Sequence, residues 1–263
     1  MIHIVKTDKE EIVLLREEHL KRLPVFQELF LEMLVHEGIC YNINLDEVRA
    51  GYVVMTKDQI LVEFHLQDKY IPYCPEIIEK TISGLKIKKI YCQSFDSLLL
   101  SSCMLQSMDY KLIGHLFRDT IDVPSFTNKQ LQVKWATEGD YSFLLEQKDG
   151  LYETPEELRT FIRRRSVLMF YDALNQLAGC GYLIKIHESF DYYDIGMWVN
   201  PDFRKQGIAT AIISWLKEWC LRNDYLPICG CDIHNIASKK TLEKNGFVSQ
   251  YKLIEFTVPD HQI

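Results

Sequence analysis

The segment VNPDFRKQGIATAIISWLKEW, Val199 to Trp219, restricts the fold more than any other part of the chain. The apolar strand segment DIGMWV runs into a turn with a proline, two basic residues and one glycine, and that turn opens directly into a helix. Ile208, Ala211, Ile212, Trp215, Trp219 and Cys220 recur at helical spacing and predict its buried face, leaving Lys217, Glu218 and Arg222 on the solvated side. A second apolar segment, LPICGCD, follows. Strand, helix and strand in this order call for a right-handed crossover and a parallel strand pair.

The segments around this crossover extend it into a module. Upstream lie strand-like LQVKWA, then EGDYSFLLEQ and TPEELRTFIRRR, the last with Thr154 as N-cap, Pro155 at the first helical position and acidic residues in the first turn. Three extended segments, SVLMFY, LAGCGYLIKIH and DIGMWVN, come next, and beyond LPICGCD a helix from Asn235 to about Asn245 precedes the strand-like FVSQYKLIEFTV. The predicted order is strand, two helices, a three-strand meander, helix, strand, helix, strand: an α+β fold with a mixed, mostly antiparallel sheet flanked by helices.

The first half repeats this order. With Tyr110 set against Phe247, KIKKIYCQ aligns with YLPICGCD, DSLLLSSCMLQSMDY with NIASKKTLEKNGF, and KLIGHLF with KLIEF. AGYVVMTKDQILVEFHL predicts a hairpin ahead of the helix PEIIEKTISGL. Where the second copy has RKQGIA the first has QDKYIP, without glycine or arginine, so only the second copy is expected to bind a ligand at that turn. VPSFTNKQ, Val123 to Gln130, reads as the linker, giving a degenerate module over 1–125 and a ligand-binding module over 126–263.

Bulk properties exclude several classes. A formal net charge of -7 supplies no basic field for nucleic acid. No apolar run reaches the roughly 20 residues a membrane helix needs, and the charged N-terminus does not read as a signal peptide, so a cytoplasmic location and no membrane partner are expected. The eight cysteines form no C-x-x-C pair, and no His stands at zinc-finger spacing; reduced structural thiols and no bound metal are expected.

The turn itself is suited to phosphate. Arg204, Gly207 and Ala209 form R-x-x-G-x-A at a helix N-terminus, where unsatisfied N–H groups point outward and the helix carries about half a positive charge. A missing or minimal Cβ at 207 and 209 lets the backbone approach an anion, and Arg204 adds a charge-assisted bond. Neither a Walker loop nor a G-x-G-x-x-G fingerprint is present.

VNPDFRKQGIATAIISWLKEWC resembles the acetyl-CoA motif of the GCN5-related N-acetyltransferases, V-x-P-x-x-R-x-x-G-x-G/A before an amphipathic helix, and NIASKKTLEKNGF resembles their N-x-A-S…E-K-x-G-F helix. The chain as a whole is similar to the two-module, zwittermicin-resistance type, in which the first half is a degenerate copy. The resemblance implies an acetyl-CoA-dependent N-acetyltransferase, with the CoA pyrophosphate on the N–H groups of Lys205, Gln206, Gly207, Ile208 and Ala209, assisted by Arg204. It places pantetheine along DIGMWV against Met197 and Val199, gives the Val199 N–H an oxyanion-hole role, and has Asn235 bind the cofactor or cap its helix. Asp194 is the best candidate base, with His187 and Glu188 weaker ones.

One position departs from the pattern: the tyrosine that protonates the leaving thiolate in many members is Leu242 here. Tyr192, Tyr193 and His234 are alternative donors, or the thiolate leaves unaided. The acceptor is expected to be a small-molecule amine that attacks directly in a ternary complex, and a homodimer stays open. Arg163, Arg164 and Arg165 suit an acidic acceptor whereas ESFDYYD suits a cationic one, and the sequence does not choose between them. The rival reading is a non-catalytic acyl-CoA-binding module.

Overall fold

Strands and helices form where apolar periodicity and local caps demand them, and they sort into two compact units, Met1–Leu116 with Tyr251–Ile263, and Phe117–Gln250. The structure is a computed structural model that describes residues 1–106, 108–126, 131–147, 151–152 and 154–259. Each unit is α+β, with a mixed, mostly antiparallel sheet flanked by helices.

The first unit runs β1 (Ile2–Thr7), α1 (Lys9–Arg22), α2 (Leu29–Glu37), β2 (Ile39–Leu45), β3 (Val48–Met55), β4 (Ile60–Leu66), α3 (Cys74–Leu85), β5 (Lys89–Gln93), α4 (Ser97–Leu105) and β6 (Asp109–Phe117). The expected hairpin is β3 and β4, closed by the Thr56 N–H bond to the Ile60 carbonyl at 2.8 Å. β4 and β5 pair in parallel only at Ile60↔Lys89 and Leu61↔Ile90. The segment aligned with the basic turn is a 3-10 helix, Asp68–Tyr73, which leads into α3 so that the Cys74 N–H is already bonded to the Ile71 carbonyl. A helix entered this way presents fewer free N–H groups to an anion.

The second unit runs β7 (Asp119–Thr120), β8 (Gln132–Trp135), α5 (Tyr141–Leu145), α6 (Pro155–Arg163), β9 (Val167–Tyr171), β10 (Leu177–Lys185), β11 (Tyr192–Val199), α7 (Ile208–Arg222), β12 (Leu226–Asp232), α8 (Ile236–Lys244) and β13 (Phe247–Val248). The strand order β8-β9-β10-β11-β12 matches β1-β2-β3-β4-β5, so the repeat read from the sequence is a repeat of topology. α7 packs on one face of this sheet with Phe170, Ile195 and Leu242, while α5 and α6 pack on the other with Met169, Cys180 and Trp198.

Two expectations are corrected. FVSQYKLIEFTV is two strands: β13 pairs with β7, and β14 (Tyr251–Thr257) belongs to the first unit's sheet, between β5 and β6. The units therefore differ from the division into 1–125 and 126–263, with residues 117–125 in the second and β14 in the first. The described part of the linker meets α7 at Ser214, whose Oγ accepts from the Phe126 N–H at 3.2 Å; just ahead of the linker, Ile121 N–H bonds the Gly246 carbonyl at 2.8 Å, and Lys217 of α7 donates to the Ile121 and Asn245 carbonyls at 3.3 and 2.9 Å. Residues 127–130 lie outside the described residues. Lys217, expected on the solvated side of α7, thus bonds the main chain at Ile121, and Ser214 beside it is buried, whereas Leu216 packs on the sheet at Gly181. Gly246 is required there: its φ is +84°, and a Cβ would lie 2.3 Å from the Ile121 carbonyl oxygen.

The first unit buries a charged cluster that composition did not announce. Glu63 is 1% exposed and accepts from Arg16 Nε at 3.0 Å and the Tyr52 hydroxyl at 2.7 Å; Arg16 also holds Glu32 at 2.6 Å. Burial raises the Glu63 carboxyl pKa, but Arg16, His19 and the hydrogen bonds more than reverse this, so it sits below the usual value. Beside it His65, 1% exposed, is pushed down from 6.5 to about 3, first by burial and then by His19 and Arg22. A histidine whose folded pKa is depressed binds a proton in the unfolded chain first, so its contribution to stability is present above about pH 6.5 and is lost as pH falls toward about 3. The melting temperature is expected to drop between pH 7 and pH 5, and His65→Leu is expected to reduce that drop. Equal drops in the two proteins would refute this assignment.

All eight cysteines are free, and only Cys231 is not fully buried. Among the described residues no helix is long and apolar enough to cross a membrane, and no group of three or more His, Cys, Asp and Glu side chains could hold a metal ion.

Candidate functional site

α7 begins at Gly207, whose φ of +78° is the left-handed conformation that glycine adopts without strain. A Cβ built there would meet nothing within 4 Å, so the space above the first turn of α7 is open. Ile208, Ala209 and Thr210 occupy that first turn, whose N–H groups have no partner within the helix. Arg204, Lys205, Gln206 and Gly207 are exposed; Arg204 Nε lies 3.3 Å from the Val199 carbonyl, and the Gln206 amide donates to the Asp202 carbonyl at 3.1 Å. Lys205 has φ +60°, the second left-handed residue of the turn. The turn forms an open cradle at a helix N-terminus, the polarity an anion needs.

Beside the cradle the sheet opens. β11 and β12 pair in parallel at Tyr192↔Leu226, Tyr193↔Pro227 and Asp194↔Ile228, and the described pairing ends there although both strands continue. On the other side β11 stays paired with β10 through Gly179↔Val199, and Asn200 N–H bonds the Ala178 carbonyl at 3.1 Å. In an antiparallel pair alternate residues turn their main-chain groups to the same neighbour, so the even-numbered residues of β11 bond β10 and the odd-numbered ones face the opened edge. Met197 and Val199 both fall in the second set, with their side chains packed toward α7.

Asp194 lies on the opposite face. β11 alternates without a bulge, so Asp194 shares the α5–α6 side with Gly196 and with buried Trp198. Opposite Gly196 stands Tyr182, whose ring is T-shaped to Phe161 of α6 at 6.1 Å and whose hydroxyl donates to the Leu151 carbonyl. Burial, with smaller contributions from Cys180 and Glu157, holds the Tyr182 phenol well above its ordinary pKa. Gly196, Tyr182, Phe161 and Glu157 were not singled out from the sequence. A glycine inside DIGMWV was the one available signal, because such a residue often marks a close approach.

α6 forms as expected: Thr154 Oγ1 accepts from the Glu157 N–H at 3.1 Å and Pro155 occupies the first turn. Arg163 Nε is paired with Glu138 at 2.6 Å, Arg164 is the C-cap, and Arg165 has φ +53° in the following turn. In the β10–β11 connection His187 Nδ1 accepts from Ser189 N–H at 3.1 Å, and the Glu188 carbonyl accepts from Lys185.

Asn235 is the N-cap of α8, its Oδ1 accepting from Ser238 N–H at 3.0 Å. Leu242 is 1% exposed and belongs to the core between α7, α8 and the sheet. A leucine suits that environment. Tyr193 packs against Tyr225 at 4.6 Å and against Trp219 at 5.9 Å, His234 is exposed, and burial raises the Tyr192 phenol pKa.

Residues 8–120 match a family profile described as "Acetyltransferase (GNAT) domain", and residues 130–247 match one described as "Acetyltransferase (GNAT) family". No curated protein is a significant match to the sequence. Among solved structures, an acetyltransferase of the GNAT family from Colwellia psychrerythraea superposes with a TM-score of 0.85 at 15% identity, covering 98% of this chain and 100% of that one. A tandem GNAT protein from the clavulanic acid biosynthesis pathway gives 0.63 at 12% identity, covering 98% of each chain. A GCN5-related N-acetyltransferase from Sphaerobacter thermophilus also gives 0.63 at 12%, covering 97% and 94%. At such identities these likenesses are ones of fold. The two domain matches together take in most of the sequence, and the chain belongs to the GCN5-related N-acetyltransferase family, with two such domains.

Proposed function

We propose that the second unit transfers an acetyl group from acetyl-CoA to a primary amine of a small molecule, by direct attack in a ternary complex. The observation that carries this reading is the open cradle at Gly207, set at the end of a strand whose outer edge has parted from its neighbour. The residues fit the donor: the cradle accepts a pyrophosphate with Arg204 beside it, and an extended pantetheine arm can bond the main chain of Met197 and Val199 as an added strand would. The Val199 N–H is assigned to the thioester oxygen, where negative charge develops during attack.

In the step itself the amine nitrogen forms a bond to the acetyl carbon and the carbon–sulfur bond breaks. The amine's proton passes to Asp194, directly or through a water. Nothing at position 242 can donate to the departing sulfur, and a thiol of ordinary pKa, about 8.5, leaves tolerably as thiolate near neutral pH. The buried Leu242 also favours the second reading, an acyl-CoA-binding module without turnover. Asn235 caps α8, which leaves its amide N–H groups for the donor.

A melt with and without acetyl-CoA tests the donor site: at about 100 times its dissociation constant a ligand adds roughly 2.7 kcal/mol, several degrees for a chain of this size. Calorimetry should count one equivalent per chain, because the first unit's corresponding turn is a 3-10 helix. Release of free CoA thiol that requires an amine separates turnover from mere binding. Asp194→Asn is expected to keep the acetyl-CoA shift and slow turnover about a hundredfold; an unchanged rate across pH would remove Asp194 as the base.

A further inference from the structure

We propose that the acceptor is a small cationic amine with an apolar or aromatic body, and that Glu157 of α6 is the residue that selects it. The inference rests on the acetyl-transfer reading of the same site.

The sequence offers two opposed clues, a run of three arginines and a set of acids and aromatics. The structure accounts for the arginines first. Arg163 is tied to Glu138, and Arg164 and Arg165 form the end of α6 and the turn after it. The other cation on this helix, Arg159, lies over the Tyr141 ring at 4.3 Å. Glu157 belongs to the opposite end of α6, in the first turn, about 9 Å along the axis from Arg163. One helical turn separates Glu157 from Phe161, so both project from the same side of α6, and Phe161 lies against Tyr182.

Tyr182 in turn stands across from Gly196, where β11 has no side chain; a Cβ there would touch only Tyr182, at 3.6 Å. Asp194 is the next residue of that face. The side of the sheet that an acceptor must approach therefore has a gap at Gly196, aromatic rings beside it and carboxylates at Asp194 and Glu157. The influence of Glu157 on the Tyr182 phenol agrees with its closeness to this wall. A carboxylate next to aromatic faces recognises an ammonium group by charge and by cation–π attraction, and it repels an acid. With Asp194 engaged in proton removal, Glu157 is the carboxylate that can hold the cation before reaction.

The test uses the whole chain and three probes: phenethylamine, its neutral analogue 2-phenylethanol, and glutamate. Each is titrated calorimetrically with and without saturating CoA. Phenethylamine is expected to bind more tightly than the alcohol, and glutamate more weakly than either. Glu157→Gln is expected to weaken phenethylamine about tenfold and leave the alcohol unchanged. This substitution keeps the main-chain N–H that Thr154 caps, and an unchanged melting temperature of the unliganded variant shows that its fold is intact. Equal binding of amine and alcohol, tightest binding of glutamate, or no effect of Glu157→Gln would overturn the proposal. If acetyl-CoA fails to bind while the preference for the amine persists, the transferase reading falls and the cation preference stands; the converse result leaves the transferase reading and removes Glu157.

Discussion

Gly207→Asp is expected to abolish the acetyl-CoA-induced rise in melting temperature and to weaken the ligand about a thousandfold, with the unliganded fold intact. A residue with a Cβ at φ +78° costs about 1 kcal/mol of backbone strain, and since nothing lies within 4 Å of the added atom no further clash follows. The loss falls on the ligand. The new carboxylate stands in the space an anion must enter, cancels the favourable field of the α7 N-terminus and adds like-charge repulsion, together on the order of 4 kcal/mol. Gly207→Ala separates the causes, since it carries the strain and a methyl group but no charge, and should fall between wild type and Gly207→Asp. Equal affinities in all three proteins would place the donor's pyrophosphate somewhere other than this turn.

Arg16→Leu is expected to be the most damaging single change in the first unit. Glu63 and Glu32 share Arg16 as their cationic partner, and Glu63 is 1% exposed. Removing the guanidinium leaves buried carboxylates without counter-charge, and breaking one side of such a pair costs about 3–5 kcal/mol. The pH dependence gives the signature. In wild type the depressed Glu63 pKa makes its contribution present above the unfolded value of 4.5 and lost as pH falls below it. Without Arg16, burial is opposed only by His19 and the Tyr52 hydrogen bond, so that pKa is expected to rise and acidification near pH 5 should help the variant relative to wild type. Chemical denaturation at pH 7 and pH 5 would show the difference narrowing; a constant difference would mean that the pair acts through packing alone. Arg16→Leu with Glu63→Met should recover part of the loss, because an apolar pair of similar volume is often as stable as the ion pair it replaces.

The parts of this molecule that sequence made legible are those set by near neighbours. The αL glycine and the helix behind it, the Thr154 and Asn235 caps, the β3–β4 hairpin and the repeated order of elements each depend on a few consecutive residues. Leu242 was legible as a missing hydroxyl, and the fold adds why it is leucine: the position is core. Other features were settled by contacts between residues far apart in the chain. KLIEF was expected to close the second module, but an apolar alternation specifies a buried face and not a neighbour, and β14 joined the sheet of the first. Val123 to Phe126 has linker composition, yet the Phe126 N–H found a partner on α7 in Ser214. Glu63 sits in an apolar strand where charge should be absent, and only the approach of Arg16 from another element makes its burial affordable. The sequence alone determined the fold family and the left-handed glycine turn that opens α7, because both reside in local backbone chemistry. Which strands pair, which charges are buried and which side chains surround Gly196 were decided by the tertiary structure, because each depends on what a distant segment brings alongside.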